Sequence, residues 1–222
     1  MMRGIELKES ITASNDRDAD ALREEMRAEG TLLVNLMSSP GSGKTTLLSR
    51  IIEDLGGEWK IAVLEADIDA QVDAERMEEK GARSIQVHTD GMCHMDAGMT
   101  RTGLREMGTE GIDLAFLENV GNLICPAEFD TGAGKNVMLL SVPEGDDKPL
   151  KYPLMFMKSD VLVITKTDTM PAFDFDLARC TERVRRLNPD IRIFPVSAKT
   201  GEGMADLENW LVTAVRDWKA GL

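Results

Sequence analysis

The nine residues SSPGSGKTT, 38–46, follow directly on the apolar run TLLVNLM. An apolar run, a glycine-containing loop and a Lys-Thr pair opening a helical pattern form a strand–loop–helix unit. In such a unit the loop amides turn inward around a phosphate, and the helix aims the positive end of its dipole at the same point. The spacing is G-x-x-x-x-G-K-[ST] with Ser38 standing where the first glycine is usual. Gly41 and Gly43 can take positive φ without a Cβ clash, so the loop can close. The expected cradle is Pro40, Gly41, Ser42, Gly43, Lys44, Thr45 and Thr46. Lys44 reaches the β- and γ-phosphates, and the Thr45 hydroxyl ligates Mg²⁺. The competing reading, a Gly/Ser turn ahead of a surface helix, has no use for Lys-Thr at that place.

The rest of the chain repeats the same alternation. TLLVNLM, KIAVLEA, RSIQVH, DLAFLEN, VMLLSV, DVLVIT and IRIFPVS read as strands. Several are apolar at nearly every position, as parallel strands covered on both faces must be. Helical patterns fall at 44–55, 70–80, 93–107, 175–187 and 204–218. Strand then helix, repeated, predicts an α/β fold: a mostly parallel central sheet with helices on both faces, binding ligands at the carboxyl ends of its strands. Residues 1–30 stand apart. Ala19, Leu22 and Met26 recur at helical spacing in a highly charged stretch closed by Gly30. They predict an amphipathic helix packed on the domain, or an arm that binds a partner, with 31–222 as one nucleotide-binding domain.

The net charge of −13 disfavours nucleic acid and anionic membrane as partners. No run approaches the roughly 20 apolar residues of a membrane span, and the first residues do not resemble a signal peptide. Three widely spaced cysteines are not a disulfide framework, so a cytoplasmic setting is expected, with thiol or metal chemistry.

Two strand ends carry carboxylates. VLEADIDA places Glu65, Asp67 and Asp69 on alternate positions, with Asp67 the favoured Mg²⁺ ligand; the plainer reading is an acid-rich helix start. DLAFLENVGN ends in Glu118 with Gly121 three positions on. This matches an acid that holds a metal-bound water and a glycine N–H that meets the γ-phosphate. Lys44, Asp67 and Glu118 are therefore the expected catalytic set. VLVITKTD supplies Lys166, whose stem can lie on a base, and Asp168, whose carboxylate accepts from guanine N1–H and N2–H₂. Thr165 stands where GTP-binding proteins often have asparagine; it can still make a polar contact, but cannot copy that amide's two-ended bracing. VSAKTGEG adds Ser197, Ala198 and Lys199, with a backbone N–H for guanine O6. Two ordinary surface turns are the alternative.

DGMCHMDAGM sets Cys93 beside His94, and NLICPAEFD sets Cys125 beyond Glu118. Two thiolates and an imidazole suit Zn²⁺, Ni²⁺ or copper. Three ligands leave a tetrahedral shell open, and a two-fold dimer would bring two sets together. Buried cysteines that merely pack remain the alternative. His88 and Cys180 read as structural.

LMSSPGSGKTTLL, GMCHMDA, ENVGNLICPAEFDTG, LLSVPEGDDKPLKYPLMF and SAKTGEGM, in this order, resemble the hydrogenase nickel-incorporation GTPases, the HypB family, from about Leu32 onward. The related urease accessory GTPases carry a Cys-Pro-His metal motif instead. The resemblance implies a dimerising P-loop GTPase of the signal-recognition and MinD-like (SIMIBI) class, with the P-loop NTPase fold. It implies slow turnover of GTP to GDP, and nickel delivery to the large-subunit precursor of [NiFe] hydrogenase with a HypA-like nickel-binding partner. Cys93, His94 and Cys125 become interfacial nickel or zinc ligands. Thr45, Asp67 and Glu118 become the magnesium set, and Lys148 and Lys151 lie near the nucleotide or the dimer interface. The chain departs from the family at Ala66, Ile68 and Asp69 in the first switch and at Thr165. It shows no His-rich tract or Cys-x-x-Cys near its start, so nickel storage is not expected. Three rival functions stay open: a nickel- or zinc-binding dimer module with the nucleotide as structural ligand, an accessory GTPase for another nickel enzyme, and a small-molecule kinase. The last gives Cys93 and Cys125 no role.

Overall fold

A computed structural model describes residues 7–66, 77–89 and 91–221, with side chains from residue 13 onward. Asp67, Asp69 and most of the helix expected over 70–80 lie outside the described residues.

All seven expected strands form, and they pair into one parallel sheet. They are β1 (Leu32–Ser38), β2 (Ile61–Glu65), β3 (Arg83–Gln86), β4 (Leu114–Glu118), β5 (Lys135–Ser141), β6 (Val161–Thr165) and β7 (Arg192–Pro195), in the order β3-β2-β4-β1-β5-β6-β7. Alternation sorts the side chains between two cores. Val137, Leu139, Val161 and Val163 join one apolar cluster, and Met138, Leu140, Leu162 and Ile164 join the other. Both faces are covered, which is why these strands read as unbroken apolar runs.

Helix α1 (Leu7–Glu29) starts well before its apolar stripe. Ala19, Leu22 and Met26 are buried, Leu22 and Met26 in the larger core. Removing Leu22 and Met26 from water contributes about 1.5–3 kcal/mol each. Trp218, at the far end of the chain, lies under the Arg27 guanidinium, 4.5 Å from ring centre. Helix α2 (Lys44–Leu55) matches its expected bounds. Helix α3 (Ala97–Met107) begins four residues later than the pattern suggested. Asp96 takes extended backbone and accepts the Met99 N–H, so the chain before it, Cys93 and His94 included, is loop.

Short helices that periodicity did not reveal follow: α4 (Cys125–Glu128), α5 (Lys148–Lys151) and α6 (Pro153–Met157). At four or five residues they are too short to show a 3.6-residue repeat, and each begins at or beside a proline. The chain closes with α7 (Leu177–Leu187) and α8 (Met204–Ala220). No helix of the described residues is long and apolar enough to cross a membrane.

Gly203, which caps α8, has φ +72°, and a Cβ there would stand 2.1 Å from the Pro195 carbonyl oxygen. Gly203→Ala is expected to cost about 3 kcal/mol in thermal or denaturant unfolding. Gly57→Ala has nothing within 4 Å of the added carbon and should stay within about 0.5 kcal/mol of the parent.

Candidate nucleotide and metal site

The carboxyl ends of β1, β4, β6 and β7 converge on the phosphate loop. Gly41 and Gly43 take φ +71° and +99°, and Gly43 caps α2. Ser38, in the position of the missing first glycine, is fully buried and organises the loop. Its hydroxyl accepts from Ser42 Oγ at 2.6 Å and Lys44 Nζ at 3.0 Å, and donates to the Ser39 carbonyl at 2.8 Å. The lysine ammonium is thereby held inside the loop, with only 5% of the residue exposed.

Thr45 Oγ1 donates to Glu118 Oε1 at 3.2 Å, and Glu118 is 4% exposed. A hydroxyl and a carboxylate this close, beside a phosphate cradle, fit a hard divalent cation such as Mg²⁺. Gly121 lies against the loop itself: a Cβ would stand 3.0 Å from the Pro40 backbone nitrogen. Only a residue without a side chain lets the segment after β4 approach so closely.

The base side is tied to the phosphate side by two bonds. Thr165 Oγ1 donates to the Ser42 carbonyl at 2.7 Å, and Lys166 Nζ donates to the Gly41 carbonyl at 2.7 Å. Threonine at 165 thus braces the loop with one bond, and Lys166 adds a second tether. Lys166 is the one described non-glycine residue with positive φ, at +60°. Beside it opens a cavity of about 300 Å³, lined by Leu47, Lys166, Asp168, Ala198 and Lys199 among others. Ser197 Oγ donates to Asp168 Oδ1 at 2.8 Å and fixes the carboxylate's orientation. An apolar slot with one oriented carboxylate suits a base presenting two adjacent donors. Lys148 and Lys151 do not line this cavity. Lys148 lies 5.8 Å from the Tyr152 ring centre, and Lys151 pairs with Asp147 at 2.6 Å.

Cys93, His94 and Cys125 converge, with one ligand atom of each within 4.8 Å of the others. Cys93 is exposed, Cys125 half-buried and His94 6% exposed. The imidazole stacks on Phe129, ring centres 3.8 Å apart and 14° from parallel, with Nδ1 3.7 Å from Cys93 Sγ. Burial lowers the His94 pKa against the opposing pull of Asp96 and Glu128, which favours the neutral ring that binds metal. The neighbouring Cys93, then burial, raises the Cys125 thiol. Tetrahedral bonds of about 2.0–2.3 Å set ligand edges of about 3.5 Å, so small side-chain rotations would let the three donors share one ion. The two thiols and a neutral imidazole fit a soft or borderline cation. Cys180 is in the second core, its thiol pushed up to about 12 by burial, and His88 is exposed.

Four residues of the site were not singled out from sequence. Phe129 carries the His94 ring. Asn122 Oδ1 accepts the Ile124 and Cys125 N–H groups at 2.8 and 3.4 Å. Asn35, in β1, and Asn119, just past β4, are buried amides bonded to each other at 3.0 Å. Only Asn35 left a mark in the sequence, as the one polar residue inside LLVNLM.

A parallel sheet in this order, a Lys-Thr phosphate loop at the end of its central strand and an apolar slot marked by the Asp168 carboxylate have the form of a P-loop GTPase. Residues 32–195 match the family model described as CobW/HypB/UreG, nucleotide-binding domain. The chain is 46% identical over 211 residues to the hydrogenase maturation factor HypB of Azotobacter chroococcum mcd 1, covering 94% of itself and 68% of that protein. It is 41% identical over 213 residues to the hydrogenase/urease maturation factor HypB of Helicobacter hepaticus, covering 94% of itself and 87% of that protein. The crystal structure of HypB from Helicobacter pylori in complex with nickel superposes with a TM-score of 0.86 at 40% identity, over 92% of this chain and 96% of that one. The signal recognition particle 54 kDa protein of Aeropyrum pernix, at 17% identity and a TM-score of 0.56 over 83% of this chain and 49% of that one, shares the fold. The chain belongs to the HypB family.

Proposed function

We propose that the protein delivers nickel during maturation of [NiFe] hydrogenase, with GTP hydrolysis setting when the metal is held and when it is released. The observation that carries this reading is the shared segment after β4. Glu118 bonds Thr45 of the phosphate loop, Gly121 abuts Pro40, and Cys125 follows four residues later in the metal cluster. A change at the γ-phosphate has a short covalent path to a metal ligand.

In this reading Lys44 and the loop amides hold the β- and γ-phosphates, and the Gly121 N–H meets the γ-phosphate. Thr45, Glu118 and Asp67 would hold Mg²⁺, which would supply charge neutralisation at the phosphates. Loss of the γ-phosphate frees the segment 119–125 to shift Cys125 relative to Cys93 and His94, and the soft-metal site opens. Nickel is the cargo, and zinc is a second occupant the same donors accept. The exposed Cys93 and Ile124 face outward, at 55% exposure for Ile124, where a second copy completes the metal shell. A HypA-like protein supplies nickel in the cytoplasm, and the hydrogenase large-subunit precursor receives it. The relative from Helicobacter hepaticus, named for both hydrogenase and urease, favours a second reading in which the client is another nickel enzyme.

The test is a Ni²⁺ titration of the protein loaded with GDP and with a non-hydrolysable GTP analogue. Unequal affinities support coupling, which must then be reciprocal. Equal affinities leave the nucleotide as a structural ligand. Guanine choice is checked separately. Asp168→Asn should weaken GTP binding by about 100-fold. It should bind xanthosine triphosphate better than the parent does, because the new amide can donate to the xanthine 2-carbonyl.

A further inference from the structure

Asparagine in the middle of a buried strand costs free energy unless its amide is hydrogen-bonded. Asn35 of β1 is bonded at both ends of its amide through its neighbours in the sheet. Its Nδ2 donates to Asn136 Oδ1 of β5 at 3.0 Å, and its Oδ1 accepts from Asn119 Nδ2, just past β4, at 3.0 Å. Three amides thus form a ladder across β4, β1 and β5. Asn119, fully buried, uses its remaining oxygen twice: it accepts the Val120 N–H at 2.9 Å and the Met95 N–H at 3.1 Å. Val120 belongs to the segment that approaches the phosphate loop. Met95 is itself fully buried and directly follows His94.

We propose that Asn119 is the positioning residue that carries nucleotide state to the Cys93–His94 half of the metal site. The proposal rests on the coupling reading above and adds what that reading lacks. The covalent path moves Cys125 alone. One carbonyl oxygen gripping both Val120 and Met95 makes the opposite half of the site follow the same segment. The ladder behind it fixes the amide's rotation, so a backbone shift at 119–121 is transmitted rather than absorbed by a side-chain flip.

A second asparagine supplies the contrast. Asn15 of α1 bridges the outer ends of the same two segments, accepting the Ala97 N–H at 3.0 Å and donating to the Asp130 carbonyl at 2.9 Å. It holds the site together without touching the residues near the phosphates. A structural bracket changes nickel affinity in both nucleotide states alike; a coupling residue changes their ratio.

The experiment measures Ni²⁺ affinity of the full chain with GDP and with a non-hydrolysable GTP analogue, alongside GDP affinity and thermal stability. In Asn119→Ala the ratio between states should fall by about fivefold or more toward unity, with GDP affinity held within about threefold. Asn15→Ala should weaken nickel binding in both states and keep the ratio. Asn119→Asp should keep it too, because the carboxylate still accepts from Met95 and Val120, and Asn35 and Asn136 can turn over together, so that Asn35 donates to the carboxylate and accepts from Asn136. If Asn119→Ala does not fold, Asn119→Ser, whose hydroxyl is too short to span both N–H groups, carries the same expectation. A parental ratio in Asn119→Ala, or in Asn119→Ser where that variant stands in, overturns the proposal. A ratio of one in the parent itself overturns the coupling reading and this proposal with it, and the parent measurement alone identifies that case.

Discussion

Lys44→Ala is expected to slow GTP hydrolysis by about 10³-fold, measured as phosphate release in a single turnover. The Lys44 ammonium sits within the phosphate loop, held by Ser38 Oγ and shielded from solvent. Hydrogen bonds from a cation to an anion contribute about 1.5–3 kcal/mol each, and in the proposed reaction this cation would meet the oxygens on which charge gathers as the γ-phosphate leaves. Nucleotide binding should weaken by about tenfold, less than hydrolysis does, because the loop amides and the Asp168 pocket are untouched. The fold should persist, since Leu47, Leu48, Ile51 and Ile52 of α2 keep their places in the core. Nickel should still bind Cys93, His94 and Cys125 with unchanged stoichiometry, while transfer to an acceptor fails. Undiminished transfer by this variant would reduce the nucleotide to a structural ligand.

The second large effect falls on the metal. Cys125→Ser should lower nickel affinity by about 100-fold or more, because a hydroxyl of similar shape replaces a thiolate that a soft cation favours. Its Sγ lies in the cluster whose donor atoms fall within 4.8 Å of each other. The raised Cys125 pKa means that the metal displaces a proton as it binds. Parental affinity should therefore rise with pH between about 6 and 8, and the serine variant should rise less steeply. Cys180→Ala is the control. That thiol packs in the second core and stays protonated, with its pKa at about 12. It should lose about 1 kcal/mol of stability and leave nickel affinity within about twofold.

Much of this protein was legible in one dimension. The seven strands and α2 follow from apolar runs and turn chemistry, which are local. The loop at 38–46 was legible because its glycines, lysine and threonine are adjacent and each has a distinct mechanical task. Legibility stopped where a position depends on what lies across the sheet. The partner of Thr165 was not legible, because the Ser42 carbonyl is a backbone atom 123 residues away. The late start of α3 turned on Asp96 choosing extended backbone, which a helical period running through Cys93 concealed. Asn119 looked like a polar residue ending a strand, and nothing near it in sequence indicates Met95.

The order of residues alone pointed to a parallel α/β sheet with a glycine-containing Lys-Thr loop and carboxylates at its strand ends. Periodicity and short motifs act over a few residues and survive without knowledge of the whole. Tertiary structure decided that the loops after β3 and β4 meet, although β2 lies between those strands. It thereby joined Cys93 and His94 to Cys125, and Met95 to Asn119. Strand order is set by how all the apolar faces bury together, and no single stretch of chain encodes it.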